Sequence, residues 1–160
     1  MGAVTYPDQQ VERFIQDHFI PVQFNVVEQP ESMTRFNTPW TPTLIVLDAD
    51  GKEHRRSQGY LDAKRFLAEA ALAVLKDAID RQDYATAQQR SPEALRLTQG
   101  DPEREPEALY WTSVAAYKAS GDAQKLIGGW NRLLDQFPQS EWAKKVEFIR
   151  MGEPKKEKAA

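Results

Sequence analysis

Few residues in this sequence are equipped for chemistry, and the gaps are as informative as the residues. No cysteine occurs among its 160 residues. Without a thiolate there is no thiol nucleophile, no disulfide and no cysteine-held metal. Two histidines are present, His18 and His54. Neither stands at a metal-binding spacing from another ligand-type residue. His18 falls late in an expected helix, where a cation suits the dipole. His54 lies among charges after a turn, and both histidines read as surface residues. Asp48, Asp50 and Glu53 crowd that turn in the manner of a solvated hairpin. The reading is that the chain as given is not an enzyme, has no catalytic residue and needs no cofactor or metal. One oddity remains, in Trp40-Thr41-Pro42-Thr43-Leu44-Ile45-Val46-Leu47-Asp48. A proline, which donates no backbone hydrogen bond, stands directly before the most apolar run of the chain.

The elements that would position this proline follow from periodicity. Asp8 can cap a helix over residues 8–19, with Val11, Phe14, Ile15 and Phe19 at helical spacing. "FIPVQFNVV", residues 19–27, alternates apolar and polar side chains and is expected to be a strand. About two helical turns should start at Pro30. "TLIVLD" lacks alternation, as a strand covered on both faces does. "DADG" is a tight turn, and "KEHRRSQGY" a charged strand suited to a sheet edge. From Leu61 onward the period is helical. Asp62 can cap a long helix with a broad apolar stripe, and Ser91-Pro92 should interrupt or restart the next one. Further helices are expected in "ALYWTSVAAYKASG", "DAQKLIGGWNRLLDQF" and "EWAKKVEFIR". The fold class is therefore α/β plus all-α. The expected divisions are residues 1–66, residues 67–150 and a disordered tail, 151–160.

Composition narrows the partners. The formal charge of -3 gives no electrostatic reason to bind nucleic acid. No apolar run approaches the roughly 20 residues of a membrane span. The start, "MGAVTYPDQQ", lacks the basic and apolar segments of a secretory signal. The expected setting is the cytoplasm for the chain as given. A longer form with a signal sequence would be periplasmic.

The segment "FIPVQFNVVEQPESMTRFNTPWTPTLIVLDADGKEHRRSQGY" resembles the thioredoxin-like family, in the branch with a TPT motif, an Asp-x-Asp-Gly turn and a Gly-Tyr before the last helix. The resemblance covers about residues 1–75. It implies a cis Thr41–Pro42 peptide bond. It also implies that backbone groups beside Pro42 lie open to an extended peptide. Trp40, Thr41, Pro42 and Thr43 are accordingly the candidate peptide-binding residues. Members of the family carry a strand and a Cys-x-x-Cys motif upstream of a segment like "TYPD". The resemblance thus implies an N-terminally truncated domain, starting just after the redox site. It also implies a missing central strand, so that residues 19–27 and "TLIVLD" pair directly or the sheet is poorly stable.

The helical half resembles tetratricopeptide repeats. Tyr110, Tyr117, Gly121, Leu126, Trp130, Leu133 and Pro138 stand at spacings of 7, 4, 5, 4, 3 and 5. A weaker copy runs through Ala71, Leu75, Asp83, Tyr84, Ala87 and Ala94. The segment also resembles repeats of bacterial envelope and assembly proteins. Such repeats present a concave surface to a protein or peptide. Tyr110, Tyr117 and Trp130 read as core, while Trp111 is a further candidate peptide contact. Gly128-Gly129 inside a helix calls for a reason, and close helix approach supplies one.

The function expected from these residues is a non-catalytic protein- or peptide-interaction module of the thioredoxin family. The alternative is the C-terminal part of a thiol–disulfide oxidoreductase, with a role in redox homeostasis, whose Cys-x-x-Cys segment lies outside this chain. A peroxide- or glutathione-linked enzyme on the same fold finds no nucleophile here. The oligomeric state is left open.

Overall fold

In the computed structural model, residues 1–150 are described. They divide into two compact units, Met1–Gln82 and a second beginning at Asp83. The division follows the long helix that starts after Asp62, instead of cutting it at residue 66. The expected tail, 151–160, lies outside the described residues.

The first unit runs α1 (Gln9–His18), α2 (Glu31–Arg35), β1 (Thr43–Leu47), β2 (Glu53–Gln58) and α3 (Ala63–Asp80). Asp8 caps α1 by accepting from the Gln10 and Val11 amides at 2.9 and 3.2 Å. Asp62 caps α3 through the Arg65 amide at 2.8 Å. Both caps satisfy amides that the first helical turn leaves without partners. β1 and β2 form an antiparallel two-stranded sheet. Helix α3 packs against both α1 and β2. It is buried continuously from Phe66 to Ala73, with Leu72 and Leu75 fully enclosed. The core of the unit sits there. Thr5 ties the N-terminal turn to it by donating to the Leu61 carbonyl at 2.6 Å.

Residues 19–27 are not a strand. Pro21 removes a donor from the middle of the segment. Asn25 then starts a turn: its carbonyl accepts from Glu28 and Gln29 at 3.1 and 2.7 Å, and its side chain from Val27 at 3.1 Å. Among the described residues, β1 has β2 as its sole ladder partner, so the expected direct pairing with residues 19–27 does not occur. Ile20, Val22 and Val27 stand 94%, 70% and 85% exposed. The alternation was real, but a strand needs a neighbour to bond.

The second unit holds α4 (Tyr84–Thr98), α5 (Arg104–Ser120), α6 (Ala123–Gln136), α7 (Glu141–Lys144) and a 3-10 turn at Glu147–Arg150. Helix α4 packs on α5, α5 on α6, and α7 touches both α5 and α6. Ser91-Pro92 neither breaks nor restarts α4. The helix continues through Pro92, and the Ser91 hydroxyl donates back to the Ala87 carbonyl at 2.8 Å. Gly121 ends α5 in the left-handed region, φ 72°, where a Cβ is disfavoured.

Candidate functional site

The loop from α2 to β1 delivers the candidate residues. Asn37 turns the chain at φ 48°, and the Thr38 amide bonds back to the Met33 carbonyl at 2.8 Å. Trp40 emerges 69% exposed. The Thr43 hydroxyl donates to the Trp40 carbonyl at 2.7 Å, which fixes the path of the backbone between them. The Thr41–Pro42 peptide bond is cis. The Pro42 carbonyl accepts from the Gly59 amide at 2.8 Å, so Pro42 takes its place on the ladder as an acceptor alone. Gly59 adopts φ 93°, open to glycine at little cost. The next residue, Tyr60, is 55% exposed. Trp40, Thr41, Pro42 and Thr43 are thus brought together at the entrance of β1, with Trp40 presented to solvent. Tryptophan is enriched among the residues that anchor protein interfaces.

The family model of a thioredoxin-like domain matches residues 2–73. The first unit carries a thioredoxin-like domain. No curated protein and no solved structure matches the chain. The match spans α1, α2, the hairpin and the first part of α3. With no cysteine in the sequence, this chain performs no thiol redox catalysis. No helix among the described residues is long and apolar enough to cross a membrane.

The thioredoxin-like domain holds a second polar centre that the sequence did not disclose. Val46 pairs with Arg55 and Leu47 with Glu53, so His54 is an extra residue in β2, a β-bulge. Along a regular strand His54 and Arg55 would face opposite sides. The bulge turns both toward α3. Arg55 pairs there with Glu69, and Ser57 donates to the same carboxylate at 2.8 Å. His54, read from the sequence as a surface residue, has a side chain with no exposure at all. Its Nδ1 lies 2.9 Å from Asp80, and its Nε2 lies 3.0 Å from Asp48 and 3.4 Å from Asp77.

Asp48, His54 and Asp77 converge in the manner of a metal-ligand set, with ligand-type atoms within 4.8 Å of one another. Yet both ring nitrogens face carboxylates at hydrogen-bond distance, and only the imidazolium donates from both. The ring itself fills the place of a cation. Burial opposes its charge, but the hydrogen bonds it donates to Asp48 and Asp80 and the charges of Asp77 and Asp80 prevail and raise its pKa above 6.5. The His54 hydrogen bond, followed by the backbone amides of Lys52 and Asp50, lowers that of Asp48. For Asp80, burial works against ionisation, but Lys76 and His54 outweigh it and the pKa falls. Asp77 and Asp80, three apart on α3, were a visible signal; the bulge was not.

Replacing His54 by Gln should cost about 2 kcal/mol near pH 6, the scale of hydrogen bonds to a charged group. The folded pKa is raised, so the contribution is complete below the ordinary histidine value of 6.5 and fades as pH climbs through the folded pKa. On the acid side it weakens once Asp48 and Asp80, held below 3.8, become protonated. Urea unfolding of wild type and variant from pH 5 to 9 measures this. A difference that grows with pH would refute it.

Trp111 belongs to the second unit and is half-buried. It meets Tyr110 edge-on at 5.0 Å and Trp142 at 6.0 Å, while Tyr110 stacks on Trp130 at 5.4 Å. Lys145 sits 4.0 Å above the Trp142 ring. Tyr110, Trp130 and Trp142 pack on the buried core of Leu109, Leu133, Ala143 and Val146. The two glycines of α6 differ. A Cβ at Gly128 would meet nothing within 4 Å, whereas one at Gly129 would fall 2.7 Å from the Ser113 Cβ of α5.

Proposed function

We propose that this chain is a non-catalytic interaction module. Its thioredoxin-like domain binds an extended segment of a partner protein through Trp40, Thr41, Pro42 and Thr43. Helices α4 to α6 act as tetratricopeptide-like repeats, with Trp111 as a further contact. The observation that carries this reading is the 69% exposure of Trp40 on a loop whose backbone is held by Thr43 and Gly59. A pre-set loop binds without a large ordering cost, and an exposed tryptophan is a frequent anchor. Isothermal titration with an unfolded, thiol-blocked protein such as carboxymethylated α-lactalbumin tests it. Trp40→Ala should weaken binding about tenfold, roughly 1.4 kcal/mol. Equal affinity of the two proteins would sink the reading.

A second reading, the C-terminal part of a thiol–disulfide oxidoreductase, is favoured by the exposed apolar side chains of Ile20, Val22 and Val27. A longer polypeptide would cover them. Coding DNA in frame upstream of Met1 decides it: a Cys-x-x-Cys codon run supports the oxidoreductase, and its absence excludes it.

A further inference from the structure

The outer edge of β1 is complementary to itself. The Pro42 carbonyl and the Asp48 amide both bond toward β2, to Gly59 at 2.8 Å and Lys52 at 3.0 Å. Strand groups alternate sides, so Leu44 and Val46 also face β2. Thr43, Ile45 and Leu47 therefore turn their backbone N–H and C=O groups to the other edge. No strand occupies that edge among the described residues. Natural edges are protected by charge, proline or a bulge. β2 has both a bulge and a run of Glu53, His54, Arg55 and Arg56. β1, Thr43-Leu44-Ile45-Val46-Leu47, has no charge and no internal proline, and Leu44, Ile45 and Val46 are only half-buried.

We propose that two copies of this chain pair antiparallel through the outer edges of β1. A two-fold axis through Ile45 sets Ile45 opposite its equivalent and Thr43 opposite Leu47 of the second copy. These are the residues whose N–H and C=O groups point outward, so every outward donor meets an acceptor. Between them Leu44 lies opposite Val46 of the second copy, an aliphatic pair on each side of the axis. A charged strand would find no counter-charge on this edge, whereas β1 supplies its own match. The pairing shares Thr43 with the proposed peptide site but does not rest on that reading: sedimentation is run without peptide and reports on the pairing alone.

The contact is short, so a dissociation constant on the order of 100 µM is expected. Sedimentation velocity on the full chain, from about 10 to about 500 µM, brackets that value. Wild type should shift from monomer to dimer across the range. In T43K/L47K each lysine faces a lysine of the second copy at both ends of the pair. This should raise the dissociation constant about tenfold. T43E/L47K makes the same ends attractive and should return it toward wild type. Both variants lose the Thr43 hydroxyl, and circular dichroism of each checks that the fold persists. Monomer at every concentration overturns the proposal. So does a dimer that T43K/L47K leaves intact, or a failure of T43E/L47K to restore it.

Discussion

Glu69→Ala should lower the stability of the first unit by about 3–5 kcal/mol, the range for removing one partner of a buried ion pair. The Glu69 side chain is 7% exposed and that of Arg55 16%. The substitution takes the Glu69 carboxylate from the largely buried Arg55 guanidinium. It also takes the acceptor from the Ser57 hydroxyl, bonded at 2.8 Å. The double variant R55M/E69L replaces the pair by apolar groups of similar length. It should recover most of the loss, because burying two charges is costly even when they meet. Equilibrium urea unfolding measures both; for a unit of this size the single variant should move the midpoint by about 2 M. A shift below about 0.5 M, or a double variant as weak as the single, would contradict this account.

Gly129→Ala should destabilise the second unit by about 2–3 kcal/mol, as overpacking does in a tight core. The new Cβ would stand 1.9 Å from the Ser113 Oγ and 2.7 Å from its Cβ. Ser113 cannot swing aside freely, since its hydroxyl donates to the Leu109 carbonyl at 2.6 Å. Helices α5 and α6 must then separate, loosening Leu133 and the core around it. Gly128→Ala, one residue earlier, meets open space and should stabilise by up to about 1 kcal/mol through helix propensity. Opposite signs from neighbouring glycines are the test, read from thermal unfolding. Two changes of the same sign would show that the contact does not govern packing there.

The helices were legible because their signals are local. Asp8, Asp62, Asp122 and Ser140 cap where a side-chain acceptor precedes an apolar period. The hairpin was legible from its Asp-x-Asp-Gly turn and the two runs beside it. What failed depended on partners distant in sequence. Residues 19–27 have the pattern of a strand but no neighbour to bond. Pro92 was expected to break α4, yet the helix continues because packing overrides propensity. His54 was misplaced because burial came from a bulge, which leaves no local mark, and from Asp77 and Asp80 more than 20 residues away. Of the candidate site, the chain path through Trp40 to Thr43 was readable, while the exposure of Trp40 required the fold. The reason for Gly129 was anticipated in kind, though no sequence pattern separated it from Gly128.

The extra residue in β2 has a meaning beyond the side chains it turns. Two plain strands slide past each other two residues at a time and still present the same faces, so a short ribbon has several nearly equivalent alignments. With the bulge, one alignment alone offers His54 and Arg55 together to the acids of α3. The helix thereby reinforces the alignment that the turn sets, where Asp48 accepts from the Asp50 and Lys52 amides at 3.0 and 2.9 Å. A helix that loses Glu69, Asp77 or Asp80 removes one of the two devices, turn and bulge, that hold the ribbon to a single alignment.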